Sequence, residues 1–118
     1  MSQTPQRSPI TTHVLDTSRG CPAAGVPVRL ERASGDQFLQ VGSGITNSDG
    51  RVADLLQPGS LSHGVYRITF DTGAYYDGLG VAGFYPLAQI VFTIRDPSQH
   101  YHVPLLLSPF GYSTYRGS

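Results

Sequence analysis

Two histidines separated by a single residue, His100 and His102, are the side chains of this sequence best suited to chemistry. On a β-strand, residues two apart stand on the same sheet face, so both imidazoles would point the same way. An imidazole titrates near neutrality and is suited to moving a proton from water at pH 7. A third histidine, His13, sits in the β-branched run from Ile10 to Thr17, on the parity of Thr11 and Leu15. Three imidazoles also suit a tetrahedral zinc ion, so a zinc hydrolase built on His13, His100 and His102 is one reading. Solvated histidines without a role are the plainer one, and His63, beside Gly64 in a loop, is read that way. Arg51 follows Asn47-Ser48-Asp49-Gly50. It is either a solvated turn residue or a guanidinium fork for a flat, anionic ligand. The last run, Tyr112 to Ser118, keeps aromatic and hydrogen-bonding groups to its end, where a tail is ordinarily frayed and charged.

Several other chemistries are excluded. All eight basic residues are Arg, so no lysine nucleophile exists. One cysteine, Cys21, allows neither an internal disulfide nor a cysteine metal cluster. No Gly-x-Ser-x-Gly elbow and no P-loop occur. Gly78-Leu79-Gly80-Val81-Ala82-Gly83 matches a dinucleotide fingerprint by letters but lacks the strand before it and the helix after it. Eight basic residues balance eight acidic ones, which leaves no electrostatic footprint for nucleic acid or an acidic membrane. No apolar run approaches the ~20 residues that span a bilayer. Residues 1–9 show no apolar leader core. With the lone Cys21, this points to the cytoplasm.

The elements that must position these residues are short strands fenced by Gly, Pro, Asn and Asp. Of 118 residues, residues 1–9 read as a flexible lead and 10–118 as one domain. Ile10–Thr17 ends in a loop at Ser18-Arg19-Gly20-Cys21-Pro22. Val26, Val28 and Leu30 alternate inward against Arg29 and Glu31. Phe38–Thr46 reads as a weaker strand and Arg51–Leu55 as a short one. Tyr66, Ile68 and Phe70 form one face of Val65–Thr72; Ile90, Phe92 and Ile94 form another. Tyr101, Val103, Leu105 and Leu107 make the better core face of His100–Leu107, which turns His102 outward beside apolar Leu106. Asp71–Leu79 is the one place for a short helix. About eight strands at regular spacing predict an all-β sandwich. The final run has no Lys or Pro to guard it as an edge, which predicts pairing with a second copy of the chain.

The run Ile10-Thr11-Thr12-His13-Val14-Leu15-Asp16 resembles the opening strand of the transthyretin-related proteins, and Asn47-Ser48-Asp49-Gly50-Arg51 resembles their second landmark. His100-Tyr101-His102-Val103-Pro104-Leu105-Leu106-Leu107-Ser108-Pro109 and the ending Tyr115-Arg116-Gly117-Ser118 resemble the branch of that family that hydrolyses 5-hydroxyisourate. The likeness spans residues 10–118, and the ending is its most specific part.

The resemblance implies a transthyretin-like sandwich of two four-stranded antiparallel sheets with one short helix. It also implies a homotetramer, a dimer of dimers with its sites in a channel between the dimers. The implied substrate is a small purine-derived molecule, the setting is urate breakdown, and neither metal nor other cofactor is called for. Carried over residue by residue, His13, Arg51, His102 and Ser118 are the catalytic candidates. His13, Arg51, Tyr115 and Arg116 are the substrate-binding ones. His102 is taken as the base that handles water and His13 as its partner or a substrate contact, roles that are open to exchange. Arg116 either contacts substrate or holds the terminus. Gln89 departs from the family pattern, which suggests an acid there. A non-catalytic carrier with the same channel is the rival outside enzymology.

Overall fold

The computed structural model describes residues 7–118. Expected alternation appears as alternating burial. In β1 (Ile10–Asp16), Ile10, Thr12, Val14 and Asp16 are buried while Thr11, His13 and Leu15 are half-buried on the other face. β2 (Cys21–Pro22), β3 (Pro27–Ser34), β4 (Gln37–Ile45), β5 (Arg51–Val52) and β6 (Gly64–Phe70) follow. After α1 (Thr72–Leu79) come β7 (Ala88–Ile94), β8 (Tyr101–Ser108) and β9 (Gly111–Thr114).

Two sheets result, one in the order β4-β3-β6-β7 and the other in the order β2-β1-β8-β9 with β5 also on β1. Val28, Leu30, Tyr66, Ile68 and Phe70 from the first sheet meet Ile10, Val14, Tyr101, Val103, Leu105 and Leu107 from the second in one core. The interior parities read from the sequence are therefore the packed ones.

The second sheet differs from the expected set of four antiparallel strands. β1 and β8 run parallel, with Thr11 opposite His102 and His13 opposite Pro104. Cys21–Pro22, expected in a loop, forms a short strand on β1, and the expected strand Arg51–Leu55 is paired only over Arg51–Val52. The free edge of β1 is thus covered in two pieces, because turns bring two different segments back onto it.

The expected lead also ends earlier than residue 9. Ser8 is buried, its hydroxyl donates to the Ile10 carbonyl and accepts from the Leu56 N–H, and the Pro9 carbonyl accepts from the Tyr101 N–H. Residues 1–6 lie outside the described residues. Gln89 donates to the Thr69 hydroxyl at 3.3 Å, a neutral pairing between neighbouring strands.

The helix has both its ends satisfied. Asp71 caps the N-terminus by accepting from the Ala74 N–H, and Gly80 closes the C-terminus in the left-handed conformation. Tyr75 on this helix donates 2.7 Å to Asp16 at the end of β1, and the fully buried Asp16 also accepts from Ser18 and Arg19. The far end of β1 is thereby fixed, and with it the register that carries His13.

Candidate active site

The second sheet gathers the candidate residues on its outward face. β5 pairs with β1 so that Arg51 is opposite His13. β8 pairs with β1 so that Thr11 is opposite His102. Beyond His102 the chain's ending continues the sheet, with an isolated bridge between His102 and Gly117. One band therefore runs across four segments: Arg51, His13 and Thr11, His102, Gly117.

The turn before Arg51 is rigid. The Asn47 side chain accepts from the Asp49 and Arg51 N–H groups. Gly50 has φ +75° and lies so close to β1 that a Cβ there would sit 2.4 Å from the Val14 carbonyl oxygen, so only glycine serves at this point.

The ending shares the register of β9. Leu105 faces Thr114 and His102 faces Gly117, with an interruption between. Pro104, which lacks an N–H, lies at that interruption and cannot donate to the ladder. Its carbonyl accepts instead from the Thr114 hydroxyl at 2.6 Å. The Gly117 N–H then donates 2.8 Å to the His102 carbonyl. A Cβ on Gly117 would meet the His102 ring at 2.6 Å, so the absence of a side chain is what lets the imidazole lie against the terminal backbone. Gly117→Ala should push the ring aside and lower turnover by about tenfold to a hundredfold with the unfolding midpoint retained; steady-state kinetics beside a thermal melt checks this.

His102 is half-buried. Burial holds its pKa below the ordinary value, and the positive field of Arg51, with His100 and His13 beside it, works in the same direction; the Thr11 backbone opposes them. A depressed pKa keeps the imidazole neutral at pH 7, the form that accepts a proton. His100 is also held down, by burial and by the charge of Arg7. The Thr11 hydroxyl lies 2.8 Å from His102 Nδ1 and 3.1 Å from His100 Nε2. Among the described residues no three His, Cys, Asp or Glu side chains form a group able to hold a metal ion. The two close histidines share a hydroxyl instead.

The other candidates lie apart from the band to differing degrees. Tyr115 and Ser118 are exposed at the ending. Arg116 is turned to the opposite side: its guanidinium sits 4.4 Å over the Tyr101 ring and donates to Gln99 at 2.8 Å. It lines a cavity of about 430 Å³ with Phe92, Tyr101, His102, Thr114 and Tyr115, so this cavity brings His102, Tyr115 and Arg116 together. His63 is exposed. Neither Thr11 nor Gly117 carries a side chain whose type points to catalysis. The only sequence signal for Thr11 is that it shares the parity of His13.

Two packed sheets in this strand order with one helix define a transthyretin-like sandwich, and one of its outer faces carries the band of imidazoles and a guanidinium. The chain belongs to the HIUase/Transthyretin family, whose profile matches residues 10–117. It is 51% identical over 113 residues to the 5-hydroxyisourate hydrolase of Deinococcus radiodurans, covering 92% of this chain and 95% of that one. It is similar in structure to 5-hydroxyisourate hydrolase of Klebsiella pneumoniae, with a TM-score of 0.78 and 39% identity over 92% of each chain. It is also similar to sea bream transthyretin in complex with thyroxine, with a TM-score of 0.87 and 33% identity over 92% of this chain and 94% of that one.

Proposed function

We propose that this chain hydrolyses 5-hydroxyisourate to 2-oxo-4-hydroxy-4-carboxy-5-ureidoimidazoline, a step of urate breakdown, without a metal or other cofactor. What supports it, beside the family, is the juxtaposition of Arg51, His13 and a neutral His102 on one sheet face. In this reading the water oxygen adds to a ring carbonyl carbon, the carbon–nitrogen bond breaks, the ring nitrogen takes a proton and a carboxylate is left. His102 takes the proton from water. Arg51 offsets the charge that develops on the carbonyl oxygen. His13 contacts substrate or returns the proton, and Tyr115 and Ser118 hydrogen-bond substrate or water. Arg116, held by Tyr101 and Gln99, fixes the ending that packs against His102.

The ultraviolet decay of freshly generated 5-hydroxyisourate tests this with chelator-washed protein. Acceleration is the expected result. A folded protein that gives none would overturn the hydrolase reading and leave a ligand-binding one.

The domain is proposed to begin at Ser8 and run to Ser118, and to work as a homotetramer, a dimer of dimers. Leu15 and Leu106 are half-buried on the same outward face as the band, and Phe110 is 74% exposed at the β8–β9 turn. Such apolar positions suit cover by a second dimer. β9 ends its sheet and offers its free edge to another copy. A sedimentation coefficient of a tetramer at micromolar concentration is expected; a monomer would sink the assembly. No helix among the described residues is long and apolar enough to cross a membrane. A cytoplasmic site of action is proposed, and cell fractionation tests it.

A further inference from the structure

We propose that Thr11 and His100 are positioning residues that fix the tautomer of His102, by tying the one proton of the Thr11 hydroxyl to His100 and so leaving His102 Nε2 bare to accept a proton. This rests on the reading of His102 as the base that handles water. Neither residue is asked to touch the substrate.

A threonine hydroxyl has one proton to give and two lone pairs. Here it stands between two ring nitrogens, His102 Nδ1 at 2.8 Å and His100 Nε2 at 3.1 Å. With both rings neutral, two arrangements use the hydroxyl proton on one of them and satisfy both contacts. In the first, Thr11 donates to His100 Nε2 and His102 donates its Nδ1–H to the Thr11 oxygen. His102 then carries its proton on Nδ1, and Nε2 is a free acceptor. In the second, His100 donates its Nε2–H to Thr11, and Thr11 donates to His102 Nδ1. His102 must then carry its proton on Nε2 and can take none from water at that atom. The state of the more distant ring thus selects whether His102 is a base or a donor.

The fold imposes this linkage. The parallel register sets Thr11 opposite His102, and the period of two places His100 on the same face. Each of the three is half-buried, and Gly117 holds the His102 ring against the backbone from the other side. An imidazole free in water favours the proton on Nε2, so the reactive arrangement works against that preference in both rings and has to be held by the contacts around Thr11, whose backbone also favours a ring N–H on His102. This is the familiar role of the group behind a catalytic histidine, supplied here by a hydroxyl and a second imidazole in place of a carboxylate.

Long-range ¹H–¹⁵N correlation spectra of the whole ¹⁵N-labelled protein, at a pH where the rings are neutral, read the tautomers directly. Wild type should show Nδ1–H and a bare Nε2 on both His102 and His100. Thr11→Val and His100→Leu should each move His102 toward Nε2–H and lower kcat by about tenfold or more with KM little changed. Thr11→Ser, which keeps the hydroxyl, should restore the wild-type spectrum and rate. An Nε2–H on His102 in wild type would overturn the proposal. So would a Thr11→Val protein with unchanged tautomers, or one with unchanged kcat. The spectra need no substrate. A chain with the expected tautomers and no hydrolysis would therefore defeat the proposed activity, while wrong tautomers in an active enzyme would defeat only this linkage.

Discussion

His102→Asn should lower turnover of 5-hydroxyisourate by about a hundredfold to ten-thousandfold, with the unfolding midpoint close to that of the wild type. Asparagine fits the space of the imidazole and can still donate or accept toward the Thr11 hydroxyl. It cannot take a proton and give it back. The half-buried, outward position of His102 means that little core packing is lost, so the loss in rate is not a loss of fold. Stopped-flow absorbance with a thermal melt on the same preparation separates the two. If the variant turned over substrate at the wild-type rate while folded, the base would have to be sought elsewhere on the band, with His13 the first choice.

The strands were legible because the interior demands a period of two. Tyr101, Val103, Leu105 and Leu107 had to share one face and His100 and His102 the other, and burial follows that division. The short helix expected over Asp71–Leu79 is there, but the roles of Asp71 as its cap and Gly80 as its close come from the structure. The pairing of strands remote in sequence was not legible. Nothing near Thr11 reveals that it will lie beside His102, because the parallel register is set by the whole core rather than by either strand. Thr11 therefore looked like any β-branched residue. Gly117 was visible as part of a terminal motif, but its close approach to the His102 ring depends on the ending returning along β8. Arg116 was ambiguous for the same reason: its neighbours Tyr101 and Gln99 become neighbours only when the ending continues past Pro104. Two-residue strands such as β2 and β5 are too short to carry any periodicity at all.

Arg51→Gln should reduce kcat/KM by about a hundredfold to a thousandfold, and it should also move the pH profile in a direction that identifies the base. Burial first and Arg51 next hold His102 below its ordinary value. Removing a nearby positive charge favours the protonated imidazole, so the pKa rises. The acid limb of kcat/KM reports the base of the free enzyme and should therefore shift to higher pH in the variant, with activity falling away sooner on acidification. Arg51→Lys separates charge from geometry. A lysine keeps the positive field but not the planar fork, so the limb should stay near its wild-type position while the rate still falls. The same depressed pKa has a consequence for stability. Below about pH 6.5, the ordinary value of an unfolded histidine, the unfolded chain binds a proton that folded His102 resists. This contribution to stability is full above that pH and is lost as the pH falls through the folded pKa. In Arg51→Gln the gap between folded and unfolded values narrows, so acidification should cost this variant less through His102 than it costs the wild type. Kinetic profiles and urea midpoints measured across the same pH range must move together. An acid limb that stayed in place in Arg51→Gln would mean that the group titrating in the rate is not beside Arg51, and the assignment of His102 as the base would fail with it.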